Sequence, residues 1–262
     1  MATRCSHPRT GFWCSILVLL LLLLLSCGAE RVKRYATPAD ALLEEALAKV
    51  REDYRQLRLP AALEGARRLP LRRATDAGLR VEAYQYLAML HYERGLFSDS
   101  IGHYTQLAGA LLAEGASPQL RARQQLCYAM GRYYDWRWQE MDLACALGLR
   151  ILAQSEDPTG ELAARLLLLQ GIARKMYAGN VIAPDQRAAL LMEAAELMRQ
   201  AIDRYATAAA PRWALAYEEL GILYARLPTQ DHRVEAILDS LPLVMAATGA
   251  STYVYPERLR GY

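Results

Sequence analysis

The sequence predicts an all-α protein assembled from about five antiparallel helix pairs. Three observations carry that reading. Long stretches rich in Ala, Leu, Arg and Glu space their apolar residues at helical intervals, and no run alternates with period two as a half-buried strand does. Similar proline punctuation recurs along the chain, at Thr37-Pro38, Ser117-Pro118, Asp157-Pro158, Ala183-Pro184 and Ala210-Pro211. At 53% hydrophobic and 23% charged, the 262 residues have the composition of a chain that folds around a core, which excludes intrinsic disorder. A net charge of +3 argues against electrostatic capture of nucleic acid.

The elements follow in order. Residues 1–26 open with Arg4, His7 and Arg9 and continue into an apolar run from Gly11 to Ser26. That run spans about 24 Å as a helix, short of the ~30 Å hydrocarbon core, and so reads as an export signal. Residues 27–37 form a polar tether. Thr37 as N-cap, Pro38 in the first turn and Asp40 behind it start the first helix. The spacing then predicts helices over 38–56, 60–68, 76–94, 97–114, 118–135, 138–154, 159–177, 185–206, 211–226 and 231–247, within one body covering 38–252. Residues 253–262 are either a stub or the start of a further helix. Where a partner supplies the missing helix, the binding surface lies beside Leu241, Val244 and Tyr253, and an uncovered apolar end there is where self-association would begin.

Two resemblances sharpen this outline. Leu24-Leu25-Ser26-Cys27, closing the apolar run, resembles the lipobox of bacterial lipoproteins. It implies cleavage before Cys27 and attachment of lipid to that thiol. Tyr84-x-x-Leu87-Ala88 with Tyr92, Cys127-x-x-Met130-Gly131 with Tyr134, Leu167-x-x-Gln170-Gly171, and Tyr217-x-x-Leu220-Gly221 with Tyr224 resemble the tetratricopeptide repeat. The resemblance implies a right-handed α-solenoid whose small residues sit where paired helices cross closely. Ala88, Gly131, Gly171 and Gly221 are 43, 40 and 50 residues apart, against 34 in that family, so the repeat is enlarged and degenerate. Together the two features resemble the exported repeat lipoproteins, and the extracytoplasmic sensor arrays, of the Bacteroidota. In such arrays the first helices of successive pairs line a groove. Registering each on its small residue assigns to it Gln85, Met89 and Tyr92; Tyr128, Arg132 and Asp135; and Lys175 and Glu218.

Motifs for chemistry are absent: there is no phosphate loop, His-Glu-x-x-His, Cys-x-x-Cys or nucleophile elbow. The reading is therefore of a protein that is not an enzyme, with no cofactor and no metal. His91 and His103 could meet across a hairpin, but His91 stands where the repeat packs an aromatic. Tyr133-Tyr134-Asp135-Trp136-Arg137-Trp138 is either a binding rim or a hairpin turn whose rings brace two helices. Cys127 and Cys145 sit within apolar helical patterns, as buried thiols or as a bridge. The expected function is that of a scaffold tethered to a bacterial envelope membrane, the outer more than the inner. It would hold a protein or peptide segment in the concave face. The alternatives are a glycan-recognising lipoprotein or the truncated sensor part of a signalling protein.

Overall fold

The chain divides into Met1–Ala36 and Thr37–Tyr262. The computed structural model describes residues 37–95, 98–154, 160–208 and 212–224, all in the second unit. The signal segment, Cys27 with its tether, the helix expected over 231–247 and the C-terminal stub lie outside the described residues.

Thr37 begins the first helix as its residue types predict: its hydroxyl accepts the Asp40 amide at 3.2 Å, and Pro38 occupies the first turn. Nine helices follow among the described residues, and no strands. They are α1 Pro38–Arg55, α2 Leu59–Arg67, α3 Ala77–Glu93, α4 Ser98–Leu111, α5 Pro118–Tyr134, α6 Trp138–Leu152, α7 Glu161–Ala178, α8 Pro184–Thr207 and α9 Trp213–Tyr224. The fold is all-α. Side-chain caps recur at Asp76 for α3 and Ser117 for α5. No described helix is long and apolar enough to cross a membrane.

Each helix packs on the next in sequence. In addition α1 packs on α3, α3 on α5, α5 on α7 and α7 on α9, whereas no even-numbered helix packs on another even one. The odd helices therefore form one continuous layer. Fully buried Leu43 and Leu47 on α1, Leu90 on α3, Leu126 on α5, Leu166 on α7 and Met198 on α8 belong to a single apolar core.

The turns within the first three pairs share one design. Leu57, Gly95 and Trp136 each lie two residues beyond the end of an odd helix and adopt a left-handed backbone, φ 57°, 62° and 59°. Each donates its amide to the carbonyl of a tyrosine three residues back: Tyr54, Tyr92 and Tyr133. Only Gly95 takes this conformation without a steric cost. Leu57 is held there by burial, while Trp136 is 74% exposed.

Candidate functional site

Two cavities lined mainly by the odd helices share Arg165. The wider, about 340 Å³, is lined from α1, α3, α5 and α7, with Arg51, Tyr54, Tyr86, Met89 and Arg123 on its walls. Its charges are interlocked. Arg51 donates to Glu82 at 3.0 and 2.8 Å and to Glu44 at 3.1 and 2.9 Å. Arg123 donates to Glu82 at 3.1 Å and lies 5.3 Å from the Tyr86 ring centre. Arg51, Met89 and Met130 stand six residues before the left-handed turn of their respective pairs, so equivalent positions line a cavity in all three.

The narrower cavity, about 140 Å³, is walled by Met130 on α5, Leu168 and Ile172 on α7 and Leu215 on α9, with Arg165, Arg212, Tyr205 and the carboxylates of Glu93, Glu218 and Glu219 adding polar groups. Tyr54 organises the two guanidiniums: Arg212 lies 4.1 Å and Arg165 5.1 Å from its ring centre. Arg165 donates to Glu93 at 2.6 Å. Arg212 donates through Nη1 to the Tyr54 carbonyl at 3.3 Å and to Glu161 at 3.2 Å. The Tyr54 hydroxyl donates to Glu93 at 3.3 Å. Burial pushes the Glu93 carboxyl above its ordinary range despite Arg212 beside it, and burial with the neighbouring Arg212 charge pushes Arg165 down. Arg165 Nη1, Arg212 Nε and Nη2 and the Tyr205 hydroxyl have no hydrogen-bond partner among the described residues.

The eight residues assigned to the groove separate into two groups. Met89 lines the wider cavity; Tyr92 and Glu218 line the narrower one. Lys175 sits beside it, buried and paired with Glu219. Gln85 is elsewhere: fully buried, its amide donates to the Leu120 carbonyl at 2.9 Å and ties α3 to α5. Tyr128, Arg132 and Asp135 are also away from both cavities. They form a cluster with Glu140 towards α6, where Tyr128 donates to Glu140 at 3.1 Å and Arg132 pairs with Asp135 at 3.0 Å. The cause is register. The left-handed turns align Ala88 with Ala129, not with Gly131, and a slip of two residues rotates a helix face by about 200°. Arg123, Leu126 and Met130 are the residues of α5 that line the cavities.

The aromatic segment braces the turn. Tyr133 meets Tyr92 at 5.7 Å, Tyr134 at 5.4 Å and Trp138 at 5.6 Å between ring centres, all edge-on, joining α3, α5 and α6. His91 is buried against Tyr104 at 5.3 Å, and burial lowers its pKa. No three His, Cys, Asp or Glu side chains among the described residues are grouped to hold a metal ion. Cys127 and Cys145 are separate buried thiols; burial pushes the first up to about 12 and the second higher still.

No protein-family model, curated protein or solved structure matches the chain.

Proposed function

We propose that the chain is an interaction scaffold of the bacterial cell envelope. It is anchored through lipid on Cys27 and built as a right-handed α-solenoid of degenerate tetratricopeptide-like repeats. The inner face of its odd helices takes a protein or peptide segment. The observation that carries this reading is the wider cavity, to which four successive odd helices each contribute side chains. The repeated unit is supported by the nearest-neighbour packing and by the identical left-handed turns after Tyr54, Tyr92 and Tyr133. A wall that mixes arginine, glutamate, tyrosine and methionine suits a polypeptide, which presents both apolar and charged groups.

The test is site-specific photo-crosslinking in producing cells. A crosslinker at Ala48 or Glu52, both lining the wider cavity, should capture a discrete polypeptide; one at Ile182, 90% exposed on the far connection, should not. Equal capture at all three positions, or none at the first two, would refute the reading. Trp136, projecting into solvent beside buried Trp138, favours a second one, glycan recognition on an aromatic platform. Retention on a glycan array that disappears in Trp136→Ala would replace the first reading.

A further inference from the structure

A third cavity, about 590 Å³, opens between the end of α2, the connection into α3, and the α3–α4 pair, and it shares no residue with the two described above. Arg67, Arg72 and Arg73 line it, and no acidic side chain does. The two cavities around Arg165 differ in this respect, since each carries glutamates. Among the described residues Arg67, Arg72 and Arg73 form no ion pair, whereas Arg68 in the same stretch is bound to Glu64 at 2.5 Å. The C-terminal end of α2 offsets at most about half an elementary charge against these three. Their field reaches into the wall: burial and then the Arg67 charge lower the pKa of His91, which packs on Tyr104 of the cavity. Three guanidiniums gathered around one concavity without a counter-ion favour a ligand carrying more than one negative charge.

The turn that carries Arg72 and Arg73 is set before any ligand arrives. Buried Leu69 and Ala74 anchor it on either side, and the Arg73 amide donates to the Pro70 carbonyl at 3.1 Å. Just beyond, the buried Asp40 carboxylate accepts the Thr75 and Asp76 amides at 2.7 and 2.9 Å. The three arginines are exposed, while Ala66, Leu69 and Leu87 are buried and give the cavity an apolar floor. The Tyr84 and Tyr104 rings complete the wall, stacked with centres 6.3 Å apart and 20° between their planes. The volume falls within the ~300–1,000 Å³ of small-ligand sites. Such a site takes a flat apolar body with a strongly charged head. A carboxylate brings one charge; a phosphate monoester brings about 1.5–2 at neutral pH and three acceptor oxygens, which guanidinium forks bind through paired hydrogen bonds. We propose that this cavity is a binding site for an aryl phosphate monoester, its phosphate held by Arg67, Arg72 and Arg73 and its ring packed against Tyr84 and Tyr104. The site is independent of the segment-binding reading, because it occupies another cavity and needs no polypeptide.

Phenyl phosphate is the probe, titrated calorimetrically into the full-length chain, with inorganic phosphate and phenol as controls for the head and the ring alone. The expected result is that phenyl phosphate binds about tenfold tighter than either. Arg72 and Arg73 are exposed, so the paired change Arg72→Gln with Arg73→Gln keeps the fold, and it should weaken phenyl phosphate binding about tenfold or more. Arg121→Gln, at an exposed arginine of α5 outside the cavity, should leave binding unchanged. On the unmodified protein, nuclear Overhauser contacts between the phenyl protons and the rings of Tyr84 and Tyr104 report occupancy directly. Equal affinity for inorganic phosphate or phenol would overturn the proposal. So would full binding by the double variant, an equal loss in Arg121→Gln, or no contact to either tyrosine. Failure of partner crosslinking at Ala48 would leave these results untouched, so the two readings fail separately.

Discussion

Gly131 and Gly171 are both helical glycines at positions the repeat assigns to close crossings, yet the structure gives them opposite tolerances. A β-carbon on Gly171 would lie 2.9 Å from Met198 Cγ and 3.0 Å from the Ala194 carbonyl oxygen. The side chain can turn aside; the carbonyl belongs to the α8 backbone and cannot. A β-carbon on Gly131 would meet only Ile101 Cγ2, at 3.9 Å, an ordinary contact. Replacing a helical glycine by alanine returns up to about 1 kcal/mol through backbone entropy and helix propensity. At Gly131 that gain stands unopposed, so Gly131→Ala should stabilise by about 0.5–1 kcal/mol. At Gly171 overpacking costs about 1–3 kcal/mol and exceeds it, so Gly171→Ala should destabilise by about 1–2 kcal/mol net. For a domain of this size each kcal/mol moves Tm by about 2–4 °C. Urea midpoints and calorimetric Tm values of the two variants should therefore shift in opposite directions. A loss at Gly131, or a gain at Gly171, would show that the helix crossings are placed wrongly.

Asp40 is fully buried and accepts the amides of Asp76 and Thr75 and the hydroxyls of Thr37 and Thr75, interactions that hold its carboxyl well below the usual carboxylate range. Its contribution is complete above about pH 5 and is lost as pH falls below about 4. Urea midpoints measured between neutral and acid pH should drop less in Asp40→Asn than in the wild type, and equal slopes would exclude the effect. Cys127 and Cys145 should resist a thiol reagent at pH 8 in the folded protein and both react in guanidinium chloride; labelling of the native state would show that one of them is accessible. Glu93→Ala strips the shared counter-ion from two buried guanidiniums and should cost about 3–5 kcal/mol by urea denaturation, whereas a loss under 1 kcal/mol would mean the pair relaxes into water.

The helices were legible because their punctuation is local. Thr37-Pro38, Ser117-Pro118 and Ala183-Pro184 mark helix starts within a residue or two of where α1, α5 and α8 begin. The register of the pairs was not legible, because Gly131 advertises itself as the small residue of its repeat while Ala129, fully buried, occupies the aligned position. A signal was present: Tyr54, Tyr92 and Tyr133 each precede by three residues the residue that turns left-handed. Leu57 and Trp136 hide it, since neither residue type advertises a positive φ as Gly95 does. The arginine pair was illegible for another reason. Arg212 reaches the Tyr54 carbonyl across 158 residues, and no periodicity encodes a contact that long.

That contact bears on why the charges are there at all. Moving ionised groups out of water costs several kcal/mol each, and well-packed apolar side chains of the same volume commonly serve stability as well or better. Met130, Leu168 and Ile172 already show that this space accepts such residues. The Arg165–Glu93 and Arg212–Glu161 pairs are thus poorly explained as a stabilising device. What they provide is a joint: through Tyr54, Glu93, Arg165 and Arg212, the first described helix meets the third, the seventh and the residue that leads into the ninth. Helices that otherwise pack only on near neighbours are connected there directly.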